Sequence, residues 1–192
     1  MKWHAARPFD AARTTSRTRF ADQDTVKIPL CIEPAAGSAP TVEYRWDPDT
    51  EILSAQLQPR ATGKGPSGSV ELEGADGSWL ILDIAAGRIN GVEVAVWPEV
   101  QKRSSLTPPG QVEDASVSLP EQATKATVAS MEVDVPLQAE ADEAERVFHF
   151  RLSGARRART LRFARDLLLE VDGSSHLVGL WMLNVPPFPA QP

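Results

Sequence analysis

The stretch Trp79 to Trp97, WLILDIAAGRINGVEVAVW, reads as two apolar strands joined by a tight turn. Leu80, Leu82 and Ile84 alternate with Ile81 and Asp83, the turn falls at Ala85-Ala86-Gly87-Arg88, and Val92, Val94 and Val96 alternate on the return. Much of this pattern comes back from Leu167 to Val185 as LLLEVDGSSHLVGLWMLNV. Leu82-Asp83-Ile84 aligns with Leu169-Glu170-Val171, and Ile89-Asn90-Gly91-Val92 with Leu177-Val178-Gly179-Leu180, with one extra residue in the second turn. The expectation is a mainly β fold: a duplicated antiparallel β unit, packed as one compact pseudo-twofold sandwich or barrel-like body with little helix.

Working outward, residues 1–24 read as a basic arm without apolar period, and Thr25 to Glu33 as a first strand on an edge, because Pro29 lacks a ladder donor. Thr41 to Trp46 and Glu51 to Leu57 form a hairpin across Asp47-Pro48-Asp49-Thr50. The first β repeat is placed at 25–100, a Pro- and Ser-rich linker at 101–125, the second repeat at 126–186 and a Pro-rich tail at 187–192. Strands are expected near positions 25, 42, 52, 70, 80, 92, 128, 147, 161, 168 and 180, with Val147 to Leu152 standing where Ile52 to Leu57 stands in the first half. Gln138 to Glu145 reads as a loop or one short helix. For Arg156 to Leu169 both helix and strand fit, and the repeat favours strand.

In 192 residues, 42% hydrophobic content gives enough apolar surface for a core, while 16 Pro and 12 Gly favour short strands and turns. The lone Cys31 excludes an internal disulfide and fits a reducing cytoplasm. The N-terminus has no apolar signal region, and its Arg-rich composition suits a bacterial basic tail better than a transit peptide. No run of 18 apolar residues occurs, so no membrane span is expected. Net charge is −6, which disfavours general nucleic-acid binding, yet basic residues cluster locally. Arg13, Arg17 and Arg19 lie in the arm, and Arg156, Arg157, Arg159, Arg162 and Arg165 lie in the second repeat. These arginines are the candidate interaction residues; the bland alternative is a solvated face paired with Glu140 to Glu145.

The run YRWDPDTEILSAQL followed by WLILDIAAGRINGVEV resembles the small bacterial family known as domain of unknown function 2283, over about Val42 to Val96 and, more weakly, Val147 to Val185. The matching positions are Tyr44, Asp47, Pro48, Asp49, Asp83, Gly87, Gly91, Val92 and Glu93. The second copy lacks the Asp-Pro turn and has Trp181 where the first has Glu93. The resemblance implies no activity; it suggests a binding role beside a toxin-like partner.

Other motifs point weakly to chemistry. Gly63-Lys64-Gly65-Pro66-Ser67-Gly68 satisfies G-x-G-x-x-G, but it leads into a strand and Pro66 removes a donor, so a flexible hairpin loop is the better reading. Asp47 and Asp49 suit a turn whose carboxylate accepts backbone N–H groups rather than a calcium loop. His4, His149 and His176 show no zinc or triad spacing, and His149, between Phe148 and Phe150, is expected to face outward. A hydrolase would need Asp47, Asp83 and Glu93 in one pocket. No catalytic residue, metal or cofactor is expected. The function expected is a non-enzymatic, cytoplasmic protein-interaction module that regulates or assembles with a partner protein or with itself. A nucleic-acid-associated protein is the alternative.

Overall fold

The computed structural model describes residues 27–63, 65–120, 130–154 and 157–189, and these contain strands and turns but no helix. The first strands are β1 (Cys31–Pro34), β2 (Thr41–Asp47), β3 (Ile52–Gln58), β4 (Gly68–Gly74), β5 (Trp79–Ala85) and β6 (Arg88–Val96). The short β7 (Val100–Lys102), β8 (Glu113–Ser118) and β9 (Ser130–Val135) follow. The chain ends in β10 (Gln138–Ala141), β11 (Phe148–Arg151), β12 (Arg159–Ala164), β13 (Leu167–Val171) and β14 (Leu177–Met182). All 14 belong to one strongly curled sheet, so the mainly β expectation holds.

Two antiparallel sets dominate the sheet, ordered β2-β3-β6-β5-β4 and β10-β11-β14-β13-β12. Strand for strand the two orders are the same. Each set takes a parallel strand on its far edge, β9 beside β4 and β8 beside β12. β8 also pairs with β1 and meets β6 at Arg88↔Ser118, so it stitches the sets together.

The correspondence extends to single residues. Gly91 stands between Gln56 and Asp83, and Gly179 between Arg151 and Glu170. A bulge follows each glycine pair: Ile84 pairs with Ile89, leaving Asn90 over, and Val171 pairs with Leu177, leaving Val178 over. The turns differ. Ala86 and Gly87 have φ of 51° and 76°, both left-handed, as a two-residue type I′ hairpin requires. The second turn is longer and is held by the Asp172 carboxylate, whose Oδ1 accepts the N–H groups of Ser174 (2.8 Å) and His176 (2.9 Å).

The inner faces of both sets build a single core, with Leu53, Leu72, Leu80 and Leu82 from one and Phe148, Phe150, Leu169 and Leu180 from the other, all essentially inaccessible. Aromatic rings join the sets: Trp97 stacks on Trp46 at 5.7 Å and touches Phe148 at 5.1 Å. Trp46 Nε1 donates to the Pro186 carbonyl (2.9 Å) and Phe188 packs edge-on to its ring, so Pro186 to Phe188 lies against the first set. Tyr44 donates to the Asp166 carbonyl (3.1 Å), and burial, seconded by the Asp166 charge, pushes its hydroxyl well above the usual range.

Several expectations change. Gln138 to Glu145 is neither a solvated loop nor a helix: its first half is β10, with Ala139 and Ala141 buried. The stretch 101–125 contributes the end of β7 and all of β8. The glycine-rich loop is no hairpin, since β3 and β4 are separated by β6 and β5. It crosses the β5–β6 turn, where Gly87 N–H donates to the Pro66 carbonyl (2.7 Å). A Cβ on Gly65 would meet the Ala86 carbonyl carbon at 2.5 Å, which explains the glycine without any phosphate. Within Arg156 to Leu169, the strand reading favoured by the repeat holds for Arg159–Ala164 and from Leu167 on, with a turn between them.

Candidate functional site

Of the candidate arginines, Arg13, Arg17, Arg19 and Arg156 lie outside the described residues. Arg157 is exposed just before β12, and Arg165 is exposed in the turn after it. With strands rising about 3.3 Å per residue, the six residues of β12 put roughly 16 Å between its two ends, where these two stand. Arg159 pairs with Glu113 (3.2 Å) and Arg162 with Asp114 (3.2 Å), both on β8. Arg159 and Arg162 therefore pair, but not with Glu140 to Glu145, which instead takes Lys102, Arg103 and Arg151. Exposed pairs of this kind contribute about 0–1 kcal/mol each.

The Asp-Pro turn is local, as expected: the Asp49 N–H donates to Asp47 Oδ1 (3.0 Å), and this bond, with the Thr50 hydroxyl, holds the Asp47 carboxyl below its ordinary range. Asp83 and Glu93 share a shallow hollow of about 530 Å³ over the outer face of the first set. Asp47 is not part of its lining, so the three carboxylates of the hydrolase reading do not converge. Asp83 accepts from Asn90 Nδ2 (3.1 Å) and lies 3.4 Å from the Arg60 guanidinium. Glu93 accepts from Ser54 Oγ (2.9 Å).

The same place in the second set holds a different chemistry. In the first set, Ser54, Glu93, Ile81 and Glu71 stand in one cross-strand row. The equivalent row is His149, Trp181, Leu168 and Arg162. His149 does lie on the face opposite Phe148 and Phe150, but it is not exposed. It is 6% accessible, because its ring lies flat on Trp181 at 4.0 Å and 9°. His149 Nε2 is 3.0 Å from Glu170 Oε2, and the indole N–H of Trp181 donates to Glu170 Oε1 (2.8 Å). Burial works to raise the Glu170 pKa, yet the hydrogen bonds from His149 and Trp181 outweigh it and hold the carboxyl below its usual range. On the far side, Glu140 accepts from Arg103 (3.0 Å) and Arg151 (3.1 Å) and lies 3.7 Å from His149 Nδ1.

The chain itself covers this cluster. β7 pairs with β10 at one edge of the second set, and β8 pairs with β12 at the other. The segment from Lys102 to Glu113 must cross the whole set between them. Six strand spacings are about 29 Å, and this segment reaches about 36 Å when extended. Its Pro109–Glu113 end walls a cleft of about 1050 Å³, with His149, Arg151, Thr160 and Glu170 opposite. The sequence hinted at this site only through the Glu93-to-Trp181 exchange.

Among the described residues no group of three or more His, Cys, Asp or Glu side chains is placed to hold a metal ion. No helix of the described residues is long and apolar enough to cross a membrane. No protein-family model matches the chain, and no curated protein does.

Proposed function

We propose that this chain is a non-enzymatic protein-interaction module that takes an extended segment of a partner protein onto the outer edge of β2. One observation carries the reading. β10 is flanked on its outer edge by β7, whereas β2, at the same place in the first set, pairs over all its residues from Thr41 to Asp47 with β3 and with no other strand among the described residues. Val42, Tyr44 and Trp46 are only half-buried on that edge. A partner strand with apolar residues at alternate positions would complete the core there and use the free ladder groups of β2. Its intervening residues would meet Glu43, Arg45 and Asp47, a row of mixed charge.

This reading takes the two sets as copies of one repeated unit, supported by their shared strand order, glycine and bulge. It also places the protein in a reducing cytoplasm, supported by the exposed free Cys31 on β1. The nucleic-acid alternative is weakened by Glu113 and Asp114, which partly neutralise Arg159 and Arg162. The test is capture of partners from host lysate by the tagged full chain, with and without nuclease, followed by hydrogen exchange on the purified complex. The expected outcome is a stoichiometric, nuclease-resistant protein and slowed exchange at Thr41–Asp47. Loss of the bound material with nuclease, or protection confined to other strands, would overturn it.

A further inference from the structure

β2 is nearly symmetric about its central residue, Tyr44. Val42 and Trp46 flank Tyr44 on the half-buried face, Glu43 and Arg45 flank it on the exposed face, and Pro40 and Pro48 bound the strand. Two copies of such a strand can pair antiparallel around a two-fold axis, which sets one residue opposite its own counterpart. With the axis at Tyr44, Glu43 faces the partner's Arg45 and Arg45 the partner's Glu43. Val42 faces the partner's Trp46, and all of Thr41–Asp47 is paired. Pro40 meets the partner's Pro48, so pairing stops where neither residue has an N–H to offer.

The charges select this register. Within the chain, Glu43 and Arg45 stand opposite the neutral Gln56 and Ser54 of β3, and Asp47 feels Arg45 only as the least of the influences on its carboxyl. Across the axis each gains an opposite charge at a cross-strand spacing of about 5 Å, and the four make a ring of alternating sign. An axis at Glu43 would instead set that carboxylate on its own copy. An axis at Arg45 would set Arg45 on Arg45 and Glu43 on Asp47. Charges on an edge strand guard against edge-to-edge pairing; those of β2 guard against the shifted registers and leave the centred one open. The rings on the other face are ordered beforehand, since the Asp166 carbonyl holds the Tyr44 hydroxyl and the Pro186 carbonyl holds the Trp46 indole, so little side-chain freedom is lost on pairing.

We propose that the occupant of the β2 edge is β2 of a second copy of this chain, antiparallel and centred on Tyr44. The proposal rests on the edge reading above and names its partner. Each copy uses the same edge, so assembly closes at two. The test is sedimentation equilibrium of the purified full chain over a wide concentration range, with thermal melts of every variant. A monomer–dimer equilibrium is expected, with hydrogen exchange slowed at Thr41–Asp47 in the dimer. Glu43→Arg and Arg45→Glu should each weaken dimerisation about tenfold or more, because each puts like charges opposite one another twice. An equimolar mixture of the two variants, in which opposite charges face each other again, should recover the original affinity to within about threefold. Should one of them fail to fold, the chain carrying both substitutions, which also restores the opposite pairs, replaces the mixture. A chain that stays monomeric at every concentration, or a dimer indifferent to either reversal, overturns the proposal. The edge reading would still stand in that case if a different captured protein slowed exchange at Thr41–Asp47, and would fall with it if none did.

Discussion

Gly179 illustrates how one missing side chain organises the second sheet. A Cβ there would run into the Glu170 carboxylate and come within 3.2 Å of the Phe150 carbonyl. Gly179→Ala should therefore push Glu170 off His149 and Trp181 and cost about 1–3 kcal/mol. Gly173→Ala, where a Cβ meets nothing within 4 Å, should stay within about 0.5 kcal/mol in the same urea melts. At the first turn, Ala86 holds a left-handed φ that Asn tolerates better, so Ala86→Asn should raise stability by about 0.5–1 kcal/mol. Acid sensitivity follows from two carboxylates. Asp172 is held below the ordinary carboxylate range, first by the His176 N–H, and Glu170 is held below it too, its hydrogen bonds from His149 and Trp181 overcoming burial. A carboxylate with a depressed folded pKa stabilises the fold above its unfolded value and loses that contribution as pH falls through the folded one. Stability should thus decline below about pH 4.5, and Asp172→Asn should flatten the decline in acid melts. The correspondence of Gly91 and Gly179 was legible from aligning the two stretches of sequence. The cover over His149 was not, because it depends on Trp181 and on a segment that is distant in sequence.

Among the elements, β8 has the widest role, since it pairs with β1, β6 and β12. Ala115 and Val117 point from it into the core. Val117→Asp should bury an unpaired carboxylate and cost about 3 kcal/mol, whereas Ser116→Asp on the other face should stay within about 0.5 kcal/mol. The strands read correctly in the sequence are those with β-branched or Leu residues in strict alternation, such as β3, β5 and β6. β10 escaped because QAEA alternates a small residue with a polar one, and β8 because EDASVS has a single β-branched residue among Pro- and Ser-rich neighbours. Both are held by the strands beside them, which local pattern does not encode. The parallel pairings of β7, β8 and β9 are likewise long-range, and no turn signal announces them.

For the whole molecule, the continuous core and the bonds from Tyr44 to Asp166 and from Trp46 to Pro186 tie the two sets into one body. Calorimetric unfolding should accordingly be a single transition with equal calorimetric and van't Hoff enthalpies. The central claim concerns the free edge of β2. In an antiparallel strand, consecutive residues direct their N–H groups to opposite sides. Of Val42→Pro and Arg45→Pro, an odd number of residues apart, one removes an N–H used by β3 and the other an N–H on the outer edge, where proline is tolerated. The most direct measurement is partner capture by both variants alongside their thermal melts. The account predicts that the variant with the unchanged melt loses the protein partner; retention of that partner at full yield by the stably folded variant would contradict it.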